Sequence, residues 1–312
     1  MTLAALPRSR LHLQFLVANG ARPDVVFYRD GFMAPDIEAA YPSRGVDLGR
    51  EVMPGPSPAS LLRAFRHNRA YYAGLEERLA AHAVDRLILF LEGEPLERYL
   101  CALPAIRDVE LWEDGLSHYV DLTGDLWYAM RGLAQAACGF HPRHITRRRM
   151  DRSRAMVRDR FEHRNLLLPT PLAGETPREE FLLIGSPLVE DRIVSRSRFV
   201  RALGEVARVL PVPLRYLPHP RESRQRLAED GRQAGIVIEE DQRGLFEHAQ
   251  SFAYRAYGAA VSTGLLDLGR FDRSAFIPGV FGLGKMEATL AAWRHNPVRV
   301  LPDASGLRDL LD

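Results

Sequence analysis

The feature that most constrains the fold is an alternation, in which short apolar runs and longer amphipathic stretches succeed one another along the whole chain. The run 86–91, Arg-Leu-Ile-Leu-Phe-Leu, is short, nearly all apolar and bounded by polar residues. It has the pattern of a strand buried on both faces, and such strands belong to parallel sheets covered by helices. The same pattern predicts strands at 2–6, 24–28 and 108–112, and helices over 8–19, 57–82, 95–103 and 126–138. Ser57 stands where its hydroxyl can cap the second of those helices. A second series predicts strands at 181–184, 214–217, 236–238, 258–261, 275–280 and 298–301. Helices over 195–210, 222–231, 245–252 and 285–294 separate them. No internal repeat or low-complexity tract is visible.

Between the two series the composition changes. Arg143, Arg147, Arg148, Arg149, Arg152, Arg154, Arg158, Arg160 and Arg164 crowd one stretch, and Pro169, Pro171 and Gly174 follow. The boundary is placed there, giving an N-terminal domain of 1–165 and a C-terminal domain of 166–312, both of Rossmann-like α/β type. The arginine-rich segment 143–164 reads first as an exposed helix and linker, its charge partly offset by Asp151, Asp159 and Glu162. A patch for anionic lipid headgroups or a negatively charged glycan is the second reading. Nucleic-acid binding comes last, because no recognised module accompanies the arginines and aromatic stacking residues are nearly absent there.

With 46% hydrophobic and 26% charged residues and a net charge of +2, the chain has a soluble globular composition without a global polyanion-binding field. Cys101 and Cys138 give neither metal-ligand spacing nor a disulfide framework, which suits a reducing compartment. There is no basic segment followed by a long apolar core at the start. No run approaches the roughly 18 apolar residues of a membrane span. The expectation is a cytoplasmic protein, at most peripheral to the inner face of the membrane.

No dinucleotide fingerprint, phosphate loop, nucleophile elbow, zinc-protease motif or kinase set occurs, and 279–285 is read as a glycine-rich loop. What remains is a set of polar residues at predicted strand ends, where open α/β sheets bind ligands. The strand 108–112 ends in Glu113, Asp114 and Gly115, and side-by-side carboxylates repel each other, an arrangement that can poise one as a base. His219 closes another strand between Pro218 and Pro220, which restrict the backbone around it. Ser262 and Thr263 close a third and precede a helix, where hydroxyls and free N–H groups can hold a phosphate. A carboxylate, an imidazole and a phosphate site suit transfer from a nucleotide donor. The carboxylate takes the acceptor proton while the other groups meet the leaving phosphate. The plain alternatives are an acidic turn, a helix cap, and structural roles for His118, His248 and Tyr257. A second His-Pro, His141-Pro142, follows a helix rather than a strand.

Together, Leu-Trp-Glu-Asp-Gly-Leu-Ser-His-Tyr-Val-Asp at 111–121, Tyr-Leu-Pro-His-Pro at 216–220 and Val-Ser-Thr-Gly at 261–264 resemble the ordered motifs of bacterial sialyltransferases and polysialyltransferases. Gly-Leu-Phe-Glu247 resembles the segment whose acid contacts cytosine, and Ile184-Gly185-Ser-Pro-Leu the strand end that opens the second domain. The resemblance covers about 109–264 and implies a GT-B fold with an interdomain cleft. It also implies inverting transfer of sialic acid or a related nonulosonate from a CMP donor to a glycan hydroxyl of a bacterial lipooligosaccharide or capsule. It makes Glu113 the base, Asp114 its assistant and His219 the partner of the leaving CMP phosphate. Gly185, Pro220, Ser262 and Thr263 fall in the donor site, and Glu247 reads cytidine. No metal or other cofactor is expected, since CMP departs readily from a tertiary anomeric carbon. The alternatives are a CMP-Kdo transferase, and a non-catalytic nucleotide- or glycan-binding protein on the same scaffold.

Overall fold

Residues 1–122, 125–141, 155–167, 176–240 and 244–311 are described in a computed structural model. The chain begins β1 (Thr2–Leu6), α1 (Arg10–Ala18), β2 (Val25–Tyr28), α2 (Ala34–Ala40), β3 (Gly45–Asp47), α3 (Pro58–Ala80), β4 (Val84–Leu89), α4 (Pro95–Ala102) and β5 (Asp108–Trp112). It continues through α5 (Leu116–Tyr119), α6 (Asp125–Ala137) and β6 (Ala155–Arg158). Then come β7 (Thr176–Ile184), α7 (Arg196–Val209), β8 (Leu214–Leu217), α8 (Arg224–Ala234) and β9 (Val237–Ile238). The last elements are α9 (Leu245–Ser251), β10 (Phe252–Ala259), α10 (Gly264–Leu268), β11 (Ser274–Phe276), α11 (Gly284–Ala291) and β12 (Arg299–Val300).

Two compact units result. One comprises Met1–Asp114 with Thr123–Pro169, the other Gly115–Leu122 with Thr170–Asp312. The chain therefore leaves the first unit inside the acid-acid-glycine motif, and α5 belongs to the second.

The first unit holds a six-stranded sheet in the order β3-β2-β1-β4-β5-β6, and the second a six-stranded sheet in the order β12-β11-β10-β7-β8-β9. All strand pairs are parallel. Renumbered from its own first strand, the second sheet repeats the order of the first. Both follow the doubly wound pattern in which strand order reverses at the first strand.

Side-chain alternation explains why helices cover both faces. Ala4, Leu6, Leu87 and Leu89 point to one side, where Tyr72, Leu75 and Leu79 of α3 and Leu96 and Leu100 of α4 bury them. Ala5, Val26 and Ile88 point to the other and meet Leu13, Phe15 and Leu16 of α1 and Ile37 of α2. In the second unit α7 supplies Phe199, Leu203 and Val206 to a core with Phe181, Leu183, Tyr216 and Ala256.

Several elements depart from the sequence reading. The described end of the arginine-rich segment begins as a strand, Ala155–Arg158, rather than as a helix, and a loop follows it. β6 pairs with β5, Arg158 lies over the Trp112 ring at 4.4 Å, and Arg160 grips Glu113, so packing absorbs two of the arginine charges. Residues 143–154 of that segment lie outside the described residues. β7 and β10 are also longer than predicted, because polar residues along them pair sideways within the sheet. Arg215 meets Glu180, Arg178 meets Glu239, and Arg255 meets Glu179. The cysteines are both free. Among the described residues no helix is long and apolar enough to cross a membrane.

Candidate active site

In the first unit, parallel pairing puts the carboxyl ends of β1, β4 and β5 side by side, and the residues just beyond them form one edge. Glu113, the first residue after β5, is fully buried. Its Oε1 accepts from Arg160 Nε at 2.8 Å, its Oε2 accepts from the Arg160 backbone N–H at 3.0 Å, and Arg160 Nη2 also donates to Oε1. A carboxylate held this way is a structural counter-ion. It fixes the loop after β6 against the end of β5, and no acceptor hydroxyl can reach it without breaking a buried ion pair.

Asp114 has the opposite surroundings. Its side chain keeps 23% of its surface, and Oδ1 lies 2.7 Å from Nε2 of buried His12. His12 Nδ1 accepts from the Arg8 backbone N–H at 3.1 Å, so the neutral ring carries its proton on Nε2 and donates it to Asp114. Stacking on Phe90, with ring centres 4.1 Å apart, fixes the ring plane. His12 was missed in the sequence because it sits between Leu11 and Leu13 of a predicted helix. Only the adjacency of β1, β4 and β5 brings it to Asp114.

In the second unit one pocket of about 410 Å³ opens at the carboxyl ends of β7, β8 and β10, where its strand order reverses. Gly185, His219, Pro220, Ser262 and Thr263 all line it, so five of the residues singled out from sequence meet in one place. Ser186, Gly244 and Leu245, which lie in segments quoted for the resemblance, also contribute, as do Arg224 and Asp267, which nothing in the sequence singled out.

The loop carrying His219 is held by Glu222. This buried acid accepts from the His219 backbone N–H at 2.8 Å and from the Tyr216 hydroxyl at 2.9 Å. Burial pushes its carboxyl up to about 7. Gly185 is a close-approach position: a β-carbon there would lie 2.5 Å from Glu222 Oε2 and 2.8 Å from the His219 nitrogen. His219 Nδ1 accepts from the Arg221 N–H at 3.1 Å, leaving Nε2 as the protonated nitrogen of the neutral ring. Burial, aided by the Arg221 charge, lowers its pKa below the usual histidine value. At neutral pH it is therefore a hydrogen-bond donor rather than a cation.

Ser262 Oγ accepts from Gly264 N–H at 3.2 Å, and Thr263 Oγ1 accepts from Leu116 N–H at 3.2 Å. The second bond joins two of the sequence motifs directly. Gly115, at φ +107°, packs so tightly on Thr263 that a β-carbon would fall 2.0 Å from its methyl group. Tyr119 of α5 stacks on Trp293 at 4.5 Å, anchoring the same segment.

Glu247 is not brought to the pocket. It stands at the third position of α9, and its Oε2 accepts from Gly244 N–H at 3.1 Å, the returning half of a capping box. Gly244 and Leu245, which this bond positions, form the wall instead.

Among the described residues, Asp159, Glu162 and His163 are grouped with ligand atoms within 4.8 Å of one another. Asp159 Oδ1 is already occupied by the backbone N–H groups of Phe161, Glu162 and His163, which explains the grouping as a turn.

No family model and no curated protein matches the chain. Solved structures do match in architecture. A Listeria monocytogenes protein assigned as a UDP-N-acetylglucosamine 2-epimerase aligns over 98% of this chain and 93% of its own, with 8% identity and a TM-score of 0.52. The fold is GT-B. An α/β-galactoside α-2,3-sialyltransferase of Photobacterium phosphoreum aligns over 98% and 99% of the two chains, with 11% identity and a TM-score of 0.42. The Escherichia coli ADP-heptose lipopolysaccharide heptosyltransferase II covers 96% and 90%, with 10% identity and a TM-score of 0.42. At these identities the likeness concerns the fold.

Proposed function

We propose that this chain is an inverting glycosyltransferase that moves sialic acid or a related nonulosonate from a CMP donor to a glycan hydroxyl. The observation that carries the reading is the meeting of Gly185, His219, Pro220, Ser262 and Thr263 around one pocket, with Gly115 of the acid motif packed on Thr263. A volume of about 410 Å³ is in the range of small-ligand pockets. In this reading the CMP phosphate takes hydrogen bonds from His219 Nε2–H and the hydroxyls of Ser262 and Thr263, and Arg224 supplies positive charge. Thr263 can donate its own proton while its oxygen accepts from Leu116.

Asp114 is the base here, rather than Glu113. It is partly exposed and oriented by a donated hydrogen bond, whereas Glu113 is spent on Arg160. Asp114 takes the proton of the acceptor hydroxyl as that oxygen bonds to the anomeric carbon from the face opposite the leaving group. The bond from that carbon to the phosphate oxygen breaks, CMP keeps the electron pair, and the configuration inverts. His12 holds the carboxylate in place and stabilises its orientation. Glu247 acts indirectly, through the Gly244–Leu245 wall. The chemistry asks for no metal, and activity is expected to survive a chelator.

The test is release of CMP from CMP-N-acetylneuraminate and CMP-Kdo by the purified chain, beside release of UDP from UDP-N-acetylglucosamine. Release from the first donor supports the proposal, and release from CMP-Kdo alone replaces it with the Kdo reading. Turnover of the UDP donor alone overturns the CMP assignment. Tight CMP binding without release from any donor leaves a non-catalytic nucleotide-binding protein.

A further inference from the structure

Among the described residues, the first unit leaves a set of apolar side chains exposed. On the amino-terminal half of α3, Leu61, Leu62 and Phe65 are exposed, with Leu62 at 51%. Just before the helix Val52 and Met53 are exposed too, Met53 at 69%. On α6 a second stripe, Leu126, Met130 and Leu133, runs at helical spacing with exposures of 77%, 60% and 52%. Single exposed apolar side chains are ordinary, but eight on three neighbouring segments of one unit are not.

These segments are tied together. Asn68 of α3 is fully buried, and its amide exchanges hydrogen bonds with Val52, 2.8 Å to the N–H and 3.0 Å to the carbonyl. The same side chain donates to the Cys138 carbonyl, just past α6, at 2.8 Å. A buried polar side chain thus locks the 52–53 loop, α3 and the end of α6 into one block with its apolar side chains outward.

The exposed charge on this part of α3 is positive. Arg63, Arg66 and Arg69 are exposed on the same part of α3, and among the described residues none of them forms an ion pair. Residues 52–75 contain no aspartate or glutamate, and on α6 Arg131 is paired with Glu94 at 3.3 Å. On a helical projection Leu61, Phe65, Arg69, Leu62 and Arg66 share an arc of about 140°. A second copy of the chain would set arginine against arginine, and a nucleic acid would leave the leucines, Phe65 and methionines unused. An anionic lipid surface takes both, accepting apolar side chains below the headgroups and guanidinium groups among the phosphates.

We propose that the amino-terminal half of α3, the 52–53 loop and α6 form a docking surface for an anionic membrane. The position suits a role at the site. α3 follows the carboxyl end of β3, so it approaches the sheet from the side on which the strand ends and Asp114 lie. The surface is independent of donor identity and of the arginines at 143–154.

Co-sedimentation of the full chain with phosphatidylcholine vesicles, with and without phosphatidylglycerol, tests this. Binding is expected only with phosphatidylglycerol, and added salt is expected to weaken it. Each arginine near such a surface is worth roughly fivefold in partitioning, so Arg63→Gln/Arg66→Gln/Arg69→Gln should reduce binding about a hundredfold. Leu61→Ser/Leu62→Ser/Phe65→Ser should also release the protein. An environment-sensitive fluorophore on Met53→Cys, read with all three arginines intact, should shift to the blue on anionic vesicles. It keeps the test decisive if a multiple variant misfolds. The proposal is overturned if the wild type stays in the supernatant, if the label does not shift, or if folded triple variants bind as tightly as the wild type. It is equally overturned if these substitutions abolish self-association or oligonucleotide retention while the wild type ignores the vesicles.

Discussion

Both units bury a glutamate behind a loop at the strand ends, yet they satisfy that glutamate by different means. In the first, Glu113 holds the Arg160 backbone and is matched by the Arg160 guanidinium, and the next residue, Asp114, faces outward. In the second, Glu222 holds the His219 backbone chiefly through a backbone N–H and the Tyr216 hydroxyl, with Arg226 Nη2 at 3.4 Å. Its carboxyl is accordingly pushed up to about 7. In both units a buried acid shapes a loop through its backbone, and burial separates Glu113 from its partly exposed neighbour Asp114.

The sharpest way to break this comparison uses the adjacent acids of the first unit. Asp114→Asn is expected to lower turnover by about 10²–10⁴-fold, the usual contribution of a positioned base, with the melting temperature close to wild type. Glu113→Ala is expected to do the reverse in kind. It strands a buried guanidinium and should cost about 3–5 kcal/mol of stability in urea unfolding. Full turnover in a folded Asp114→Asn protein would return the base to Glu113.

A smaller effect sharpens the second unit. Glu222 in the folded state keeps its proton up to about pH 7, whereas unfolded it gives it up near 4.5. Its contribution to stability is therefore fully present below about pH 4.5 and is lost as pH rises through about 7. Glu97, fully buried against Arg8, is raised to about 7 and adds a slope of the same sign, so the wild-type curve alone cannot isolate Glu222. The difference between wild type and Glu222→Gln can. The glutamine oxygen still accepts from His219, and the variant should gain on the wild type by roughly 2–3 kcal/mol between pH 5 and 8. Parallel stability curves across that range would reject this account of Glu222.

Much of the fold was legible because doubly buried strands announce themselves. Residues 2–6, 108–112 and 214–217 form strands with the predicted bounds. β6 was not legible, since Ala-Met-Val-Arg is a strand only because β5 lies beside it and Trp112 and Glu113 absorb Arg158 and Arg160. The pocket was readable from His219 and from Ser262 and Thr263, which end strands that the topology makes neighbours. The contrast in burial between Glu113 and Asp114 was not, because two adjacent acids at a strand end point to opposite sides. Which side is buried depends on Arg160 and His12, far away in sequence.

The mildest substitution separates direct from indirect roles within the second unit. Gly244 has no side chain to cap α9, so Glu247 supplies only the returning bond to the Gly244 N–H. Loss of that bond in Glu247→Ala should cost about 1 kcal/mol of stability, the scale of a helix cap, and loosen the Gly244–Leu245 wall. Glutamine serves the same position of a capping box, so Glu247→Gln should restore both stability and CMP affinity. A residue that acts only by shaping the wall weakens CMP and UMP together and leaves their ratio near the wild-type value. An acid that reads the cytosine amino group behaves otherwise: both Ala and Gln should erase the preference for CMP, Gln without loss of stability. Titration calorimetry of CMP and UMP with the two variants distinguishes the cases, and a lost preference in the stable Gln protein would move Glu247 from the cap to the ligand.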